Sequence, residues 1–395
     1  MPTRRRALLL GATAAVGGVG YLTRSRASAQ PSVDADVVDR LDPTWRSMAE
    51  SPWTVSWEAD VDGRPGVAAE TARGSVVVAG TRSGDDDSPG WLCEVADDGT
   101  VRADRTLHPE IPNGSPSAVL PTADGTLIGG HDGEDAAWVA ALDVGGERRW
   151  SRRYRPAGGD GWSPLAIVPT TLSTGAAAYT LVSKRESYDD WRDSAWLLQF
   201  ESDGAVRWNR TYDADVQYLK DTYAPDGSTF LLAGKLAGPA DDGSPAGVLA
   251  IGDGGIAWRR TYPAYWFWDI ASAPDDAADA VVVGQVDRGD SAVGVVARLG
   301  AGGSVKWWRT LASEDGSVVC YEIRSTPGGY LVRGDVRRSE RDDVPFFGVL
   351  DSDGSRCRCY LFDGSRGARP LFGGDRPLSV EEVDDGSVIK SYGGA

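Results

Sequence analysis

One arrangement of residues recurs along this chain at nearly constant spacing: an apolar run, an Asp/Gly turn, then a strand led by Trp. It reads Trp91 to Gly99, then Trp138 to Gly146 followed by Trp150-Ser-Arg-Arg-Tyr154. Trp196 to Gly204 is followed by Trp208-Asn-Arg-Thr-Tyr212, and Val248 to Gly255 by Trp258-Arg-Arg-Thr-Tyr262. Val295 to Gly303 leads to Trp307-Trp-Arg-Thr-Leu311, and Phe347 to Gly354 closes the series. The turn glycines 99, 146, 204, 255, 303 and 354 stand 51 residues apart on average. A second piece, a short strand ending in small residues, falls between them. Its copies are Val76 to Gly80, Thr126 to Gly130, Phe230 to Gly234, Val281 to Gly284 and Tyr330 to Gly334. Ala177 to Leu181 is a degenerate copy, and Ser387 to Ser391 reads as the last. A unit this small cannot bury its apolar face alone, so it must stack on its neighbours.

Each period holds about four short β segments punctuated by Gly, Asp and Pro. Four strands in a repeat of this length predict an all-β propeller of four-stranded antiparallel blades. Seven periods take about 357 of the 366 residues that follow position 29, which favours seven blades over six or eight. The repeat starts at Trp53, in what reads as an outer strand, and ends near Tyr392 in what reads as a second strand. The last blade is therefore expected to be closed by both termini, which removes a free sheet edge. Residues 1–29 read as a signal peptide, 30–52 as an N-terminal arm or short helix, and 53–395 as the propeller. Trp150, Trp208, Trp258 and Trp307 share one strand position, where a flat ring is expected to pack between neighbouring blades. Ala103 and Arg358 fall near that position in the first and sixth copies.

The stretch Ala141-Leu142-Asp143 to Trp150 resembles the signature of quinoprotein-like (PQQ-like) propeller repeats, and the resemblance extends over residues 53–392. It implies the propeller fold. It does not choose a function, because such propellers often serve as binding or scaffold modules.

The N-terminus places Arg4-Arg5-Arg6 before Ala7-Leu8-Leu9-Leu10 and a weakly apolar Gly/Ala stretch, then Ala27-Ser28-Ala29. This order of basic, apolar and small residues predicts export with cleavage after Ala29. Arg5-Arg6 resembles a twin-arginine (Tat) signal, which implies the Tat export machinery as a partner. The alternative is a retained anchor, for which the apolar stretch is marginal. No other run is long enough to span a membrane. The chain carries 58 acidic against 41 basic side chains, net -17, and only 5 of the bases are Lys. An Asp-rich, Lys-poor surface of this kind is like that of extreme halophiles, where salt screens charge over about 3 Å at 1 M. The same balance argues against nucleic acid, which needs clustered Lys and Arg. The expected location is extracellular or at the cell surface.

Connections from second to third strand are long and unlike one another, and in a propeller they share a face with the links between blades. Binding is expected on that face. Its sharpest feature is Tyr262-Pro-Ala-Tyr265-Trp266-Phe267-Trp268-Asp269, and Trp162 occupies the corresponding link after the second blade. Tyr265, Trp266, Trp268, Asp269 and Trp162 are the candidate ligand-binding residues, suited to stacking on a sugar or anchoring an extracellular protein. No catalytic or metal-ligand motif stands out, and no cofactor is assignable. Cys357 and Cys359 point to one face of a strand, while Cys93 and Cys320 lie in other blades; a disulfide is open outside the cell. Asn113 and Asn209 lie in glycosylation acceptor triplets. The expected function is an exported, non-catalytic binding or scaffold module for a surface protein or glycan. The alternative is a secreted enzyme, a hydrolase, a lyase or a quinone-dependent dehydrogenase, with its site at the channel mouth.

Overall fold

The computed structural model describes residues 38–41, 43–82, 89–107, 114–132, 136–156, 162–171, 177–185, 193–236, 245–289, 291–338, 343–362, 369–374, 376–383 and 386–394. Residues 1–29, with Arg5, Arg6 and Ala29, lie outside them, as does Asn113.

The described chain is β-strand and turn, with one 3-10 turn at Met48–Glu50. β1 (Val38–Leu41), β2 (Thr44–Ser47) and β3 (Trp53–Val61) come first. β4 (Arg64–Glu70), β5 (Val76–Thr81), β6 (Gly90–Val95) and β7 (Val101–Thr106) form an antiparallel sheet in chain order. β8 (Ser115–Thr122), β9 (Gly125–His131), β10 (Ala137–Asp143) and β11 (Arg148–Tyr154) form another. β12 (Trp162–Thr171), β13 (Ala177–Arg185), β14 (Asp193–Glu201), β15 (Val206–Tyr223), β16 (Phe230–Leu236), β17 (Ala246–Gly252) and β18 (Gly255–Thr261) make one seven-stranded sheet. It is two four-stranded groups sharing β15, whose first half pairs with β14 and whose second half pairs with β16.

β19 (Trp266–Ser272), β20 (Ala280–Arg288), β21 (Ser291–Leu299) and β22 (Val305–Leu311) follow, then β23 (Ser317–Thr326), β24 (Gly329–Arg337), β25 (Asp343–Asp351) and β26 (Cys357–Leu361). The N-terminal arm adds a parallel fifth strand to each of these sheets, β1 on β22 and β2 on β26, and so covers two outer edges. β27 (Arg369–Gly373), β28 (Arg376–Val383) and β29 (Gly386–Gly394) are completed by β3, which pairs antiparallel with β29. Ser387 to Ser391 thus lies in a third strand. The second strand of that group is β28, where Leu378 and Val380 are buried although Arg376, Glu381 and Glu382 make the run read as polar.

We name each group of four by its first strand. An apolar cluster lies between every consecutive pair of groups, for instance Trp138 and Ile128 against Val77 and Leu92. Another lies between the β27 and β4 groups, where Trp57, Val61 and Ile389 meet Val78 and Trp91.

The recurrent Trp-x-Arg-x-Tyr strand grips the next group. Trp150 Nε1 donates to Ser202 O at 2.8 Å, Arg152 Nη2 to Asp203 O at 3.0 Å, and the Tyr154 hydroxyl to Gly204 O at 3.0 Å. Arg260 and Tyr262 do the same to Gly302 O and Gly303 O, Arg210 to Asp253 O, and Arg309 to Gly354 O. The turn glycine serves two needs at once. Gly204 and Gly303 have φ of 82° and 76°, and a Cβ there would sit 3.1 and 2.8 Å from the rings of Trp150 and Trp258. The repeated Trp is therefore packing between groups, as its position in the sequence predicts.

All four cysteines are buried and unbridged. Cys357 and Cys359 share a face, with their Sγ atoms 3.4 Å apart. Burial pushes the Cys93 thiol up to about 12. Asn209 is exposed on β15. Among the described residues no helix is long and apolar enough to cross a membrane.

Candidate functional site

The first strands of six groups carry a β-bulge at the same position. The extra residues are Gly66, Ser117, Leu165, Lys220, Trp268 and Tyr321. A bulge re-aims its side chain out of the ladder. In consecutive groups these side chains reach one another: Lys220 Nζ stands 4.8 Å from the Trp268 ring, and Trp268 meets Tyr321 edge-on at 5.4 Å. The first three groups offer Gly, Ser and Leu here, and the next three offer Lys, Trp and Tyr.

Around Lys220 an aromatic surface is assembled. Trp266 and Trp268 stack with centroids 5.2 Å apart, and Tyr218 lies 5.0 Å from Trp266. Tyr265 meets Trp266 edge-on at 6.0 Å and is 43% exposed. Lys220 also faces Trp266 at 5.2 Å, while Lys235, from β16, faces Tyr265 at 3.8 Å and Trp266 at 5.0 Å. Such cation–ring contacts contribute roughly 0.5–2 kcal/mol. Arg337 donates to the Tyr321 hydroxyl.

The residue after each bulge completes the pattern. It is Val67, Ala118 and Ala166 in the first three groups, then Asp221, Asp269 and Glu322. Asp269 is 2% exposed and accepts from the Ile270 and Ile323 N–H groups, both at 2.7 Å, and from Arg324 Nη1 at 3.0 Å. Arg324 and Arg333 both donate to Glu322. Burial works to raise the Glu322 carboxyl, but these two guanidinium groups outweigh it and hold it below its ordinary value. Burial raises the Asp221 carboxyl well above the usual range, helped by the charge of Asp269 and a hydrogen bond to it. Asp221 is therefore held towards its protonated form. Arg369, in the β27 group, donates to Pro65 O of the β4 group. Among the described residues no group of three or more His, Cys, Asp and Glu is arranged to hold a metal ion.

Of the five residues expected to bind, Tyr265, Trp266 and Trp268 come together. Asp269 lies beside them but is turned into the buried charge network. Trp162 is elsewhere: it is 2% exposed and packs on Trp196 with centroids 5.5 Å apart. It begins β12 as Trp266 begins β19, yet its neighbours are apolar, so it fills core. Tyr218, Lys220, Lys235 and Tyr321 escape sequence reasoning. Aligning the first strands would expose the Lys-Asp, Trp-Asp and Tyr-Glu pairs, but only once the bulge register is known.

No protein-family model matches the chain, and no curated protein matches it by sequence. Solved structures do. The chain is similar to Sqt1 from Chaetomium thermophilum bound to the N-terminus of the ribosomal protein L10, at 12% identity and TM-score 0.52, covering 87% of this chain and 100% of that one. It is similar to the β-propeller domain of the Trilobed protease from Pyrococcus furiosus, described as having an open velcro topology, at 8% identity and TM-score 0.52. That match covers 85% of this chain and 95% of that one. These likenesses, with the antiparallel four-stranded sheets, establish a β-propeller.

Proposed function

We propose that this β-propeller is an exported, non-catalytic binding module of seven blades, the last closed by β3 from the N-terminal side. It takes its ligand on the surface made by Tyr218, Tyr265, Trp266, Trp268 and Tyr321 with Lys220, over Lys235, which is buried against the same rings. The carrying observation is that aromatic rings and ammonium groups are interleaved across adjacent first strands on one side only of the set. Rings supply stacking area and lysines supply charge, so the ligand bears acidic groups on a ring-shaped or apolar body. An acidic glycan or an acidic segment of a surface protein meets that description. The capture of a protein terminus by Sqt1 supports a binding role for the fold. The twin-arginine-like leader supports export, and the acid-rich, Lys-poor composition supports a high-salt setting.

The test is a screen of acidic glycans and of cell-surface extract against the full mature chain in high salt. Trp266→Ala with Trp268→Ala is expected to weaken the captured ligand by about 30-fold or more, the loss of roughly 2 kcal/mol seen at aromatic hot spots. Lys220→Gln should act more weakly at high salt. Unchanged binding in the double variant would remove this surface from consideration. Export is checked by sequencing protein recovered from the medium, whose first residue is expected to be Gln30; a start at Met1 or Pro2 would contradict cleavage.

A further inference from the structure

Away from the aromatic surface, a cavity of about 700 Å³ opens in the seam between the β23 and β27 groups. Its origin is specific. In the β8, β15 and β19 groups the fourth-strand Trp lies on the turn glycine of the next group, as Trp307 does on Gly354 at 3.2 Å from a Cβ placed there. In the β23 group Arg358 holds that position, opposite Val349 as Trp307 stands opposite Arg298. The next group has no such turn, because its third and fourth strands, β29 and β3, come from opposite ends of the chain. Both fillers of the seam are thus missing together.

The walls are Trp53, Tyr360, Tyr392 and Val349, with Arg358 and Arg376 at the polar part. Trp53 is held against Tyr360 and Phe347, with centroids 5.3 and 6.0 Å apart. Arg376 faces Glu70 at 3.4 Å. Asp97 also lines the cavity, but no ion pair joins it to Arg358, which has no acidic partner among the described residues. The volume falls within the range of small-molecule sites, about 300–1,000 Å³.

We propose that this seam is a second, small-molecule site that takes a flat aromatic monoanion, its ring between Trp53, Tyr360 and Tyr392 and its carboxylate on Arg358. Occupancy joins residues from both ends of the chain, so the ligand stabilises the closing sheet by mass action.

The probe is 2-naphthoate, compared with neutral 2-naphthamide, titrated into the full mature chain by calorimetry with thermal melts alongside. Naphthoate is expected to bind one per chain and to raise Tm. Arg358→Gln is expected to weaken naphthoate by about tenfold, the size of a charged hydrogen bond, and to leave naphthamide unchanged. Val349→Phe, which fills the cavity, is expected to weaken both. Trp266→Ala should alter neither, which separates this site from the aromatic surface. Absence of saturable naphthoate binding up to about 1 mM, or binding that survives both seam variants, would overturn the assignment.

Discussion

A chain that begins at Asp62 is expected to give no cooperative thermal transition, whereas the mature chain gives one. Such a truncation removes β1, β2 and β3. Among the described residues β3 is the only partner of the outer side of β29, and its Trp57, Ala59 and Val61 are each 5% exposed within the cluster that joins the β27 and β4 groups. Losing one buried Trp costs about 3–5 kcal/mol. A typical domain has only about 5–15 kcal/mol in total, and here two further apolar side chains and a whole ladder leave with it. The fragments should also associate: a peptide spanning residues 38–61 is expected to restore the transition in trans. Circular dichroism and calorimetry decide the matter. A truncated chain melting within a few degrees of the parent would show that the pairing of the chain's two ends contributes little.

The two neighbouring carboxyls, Asp221 and Asp269, are expected to respond in opposite directions. Asp269→Ala strands the Ile323 N–H and leaves Arg324 with Glu322 as its remaining hydrogen-bonded acid. Breaking a fully buried pair costs about 3–5 kcal/mol, and the partly exposed Arg324 brings the expected loss below that range. Asp221→Asn should instead stabilise the protein near neutral pH. The folded state holds this carboxyl protonated, while the unfolded chain ionises it near pH 3.9. Above that value the unfolded state is therefore favoured, and the parent loses stability as pH rises towards the folded pKa. Asn keeps the neutral form at every pH, accepts from the Thr222 N–H as Asp221 does at 2.6 Å, and has an N–H to offer Asp269. The gain should vanish below about pH 4. Denaturant melts from pH 4 to 8 measure both. A Asp221→Asn variant less stable than the parent at pH 7 would mean that the proton is not held there.

Much of the scaffold could be read from the chain itself. The Asp/Gly turns and the Trp-x-Arg-x-Tyr strands are local features, and each lies where its spacing places it. Reading failed where the information is not local. Ser387 to Ser391 looks like the other second strands because nothing Trp-led follows it; the strand that completes its sheet is encoded more than 300 residues earlier, at Trp53–Val61. Trp162 and Trp266 occupy matching links, and their different surroundings depend on side chains from other groups. The aromatic surface was half visible, as the run Tyr265 to Trp268. Its cationic half, Lys220 and Lys235, comes from strands that the fold alone brings near.

The arm that lays β1 along β22 and β2 along β26 also decides how the molecule can be tethered. Residue 38 lies against β22, the last of the four strands β19–β22, so the point of attachment for whatever precedes it is the outer edge of that sheet. A leader kept in a bilayer, or any fused partner, would then be joined at an outer sheet edge rather than at the first strands that carry the aromatic surface.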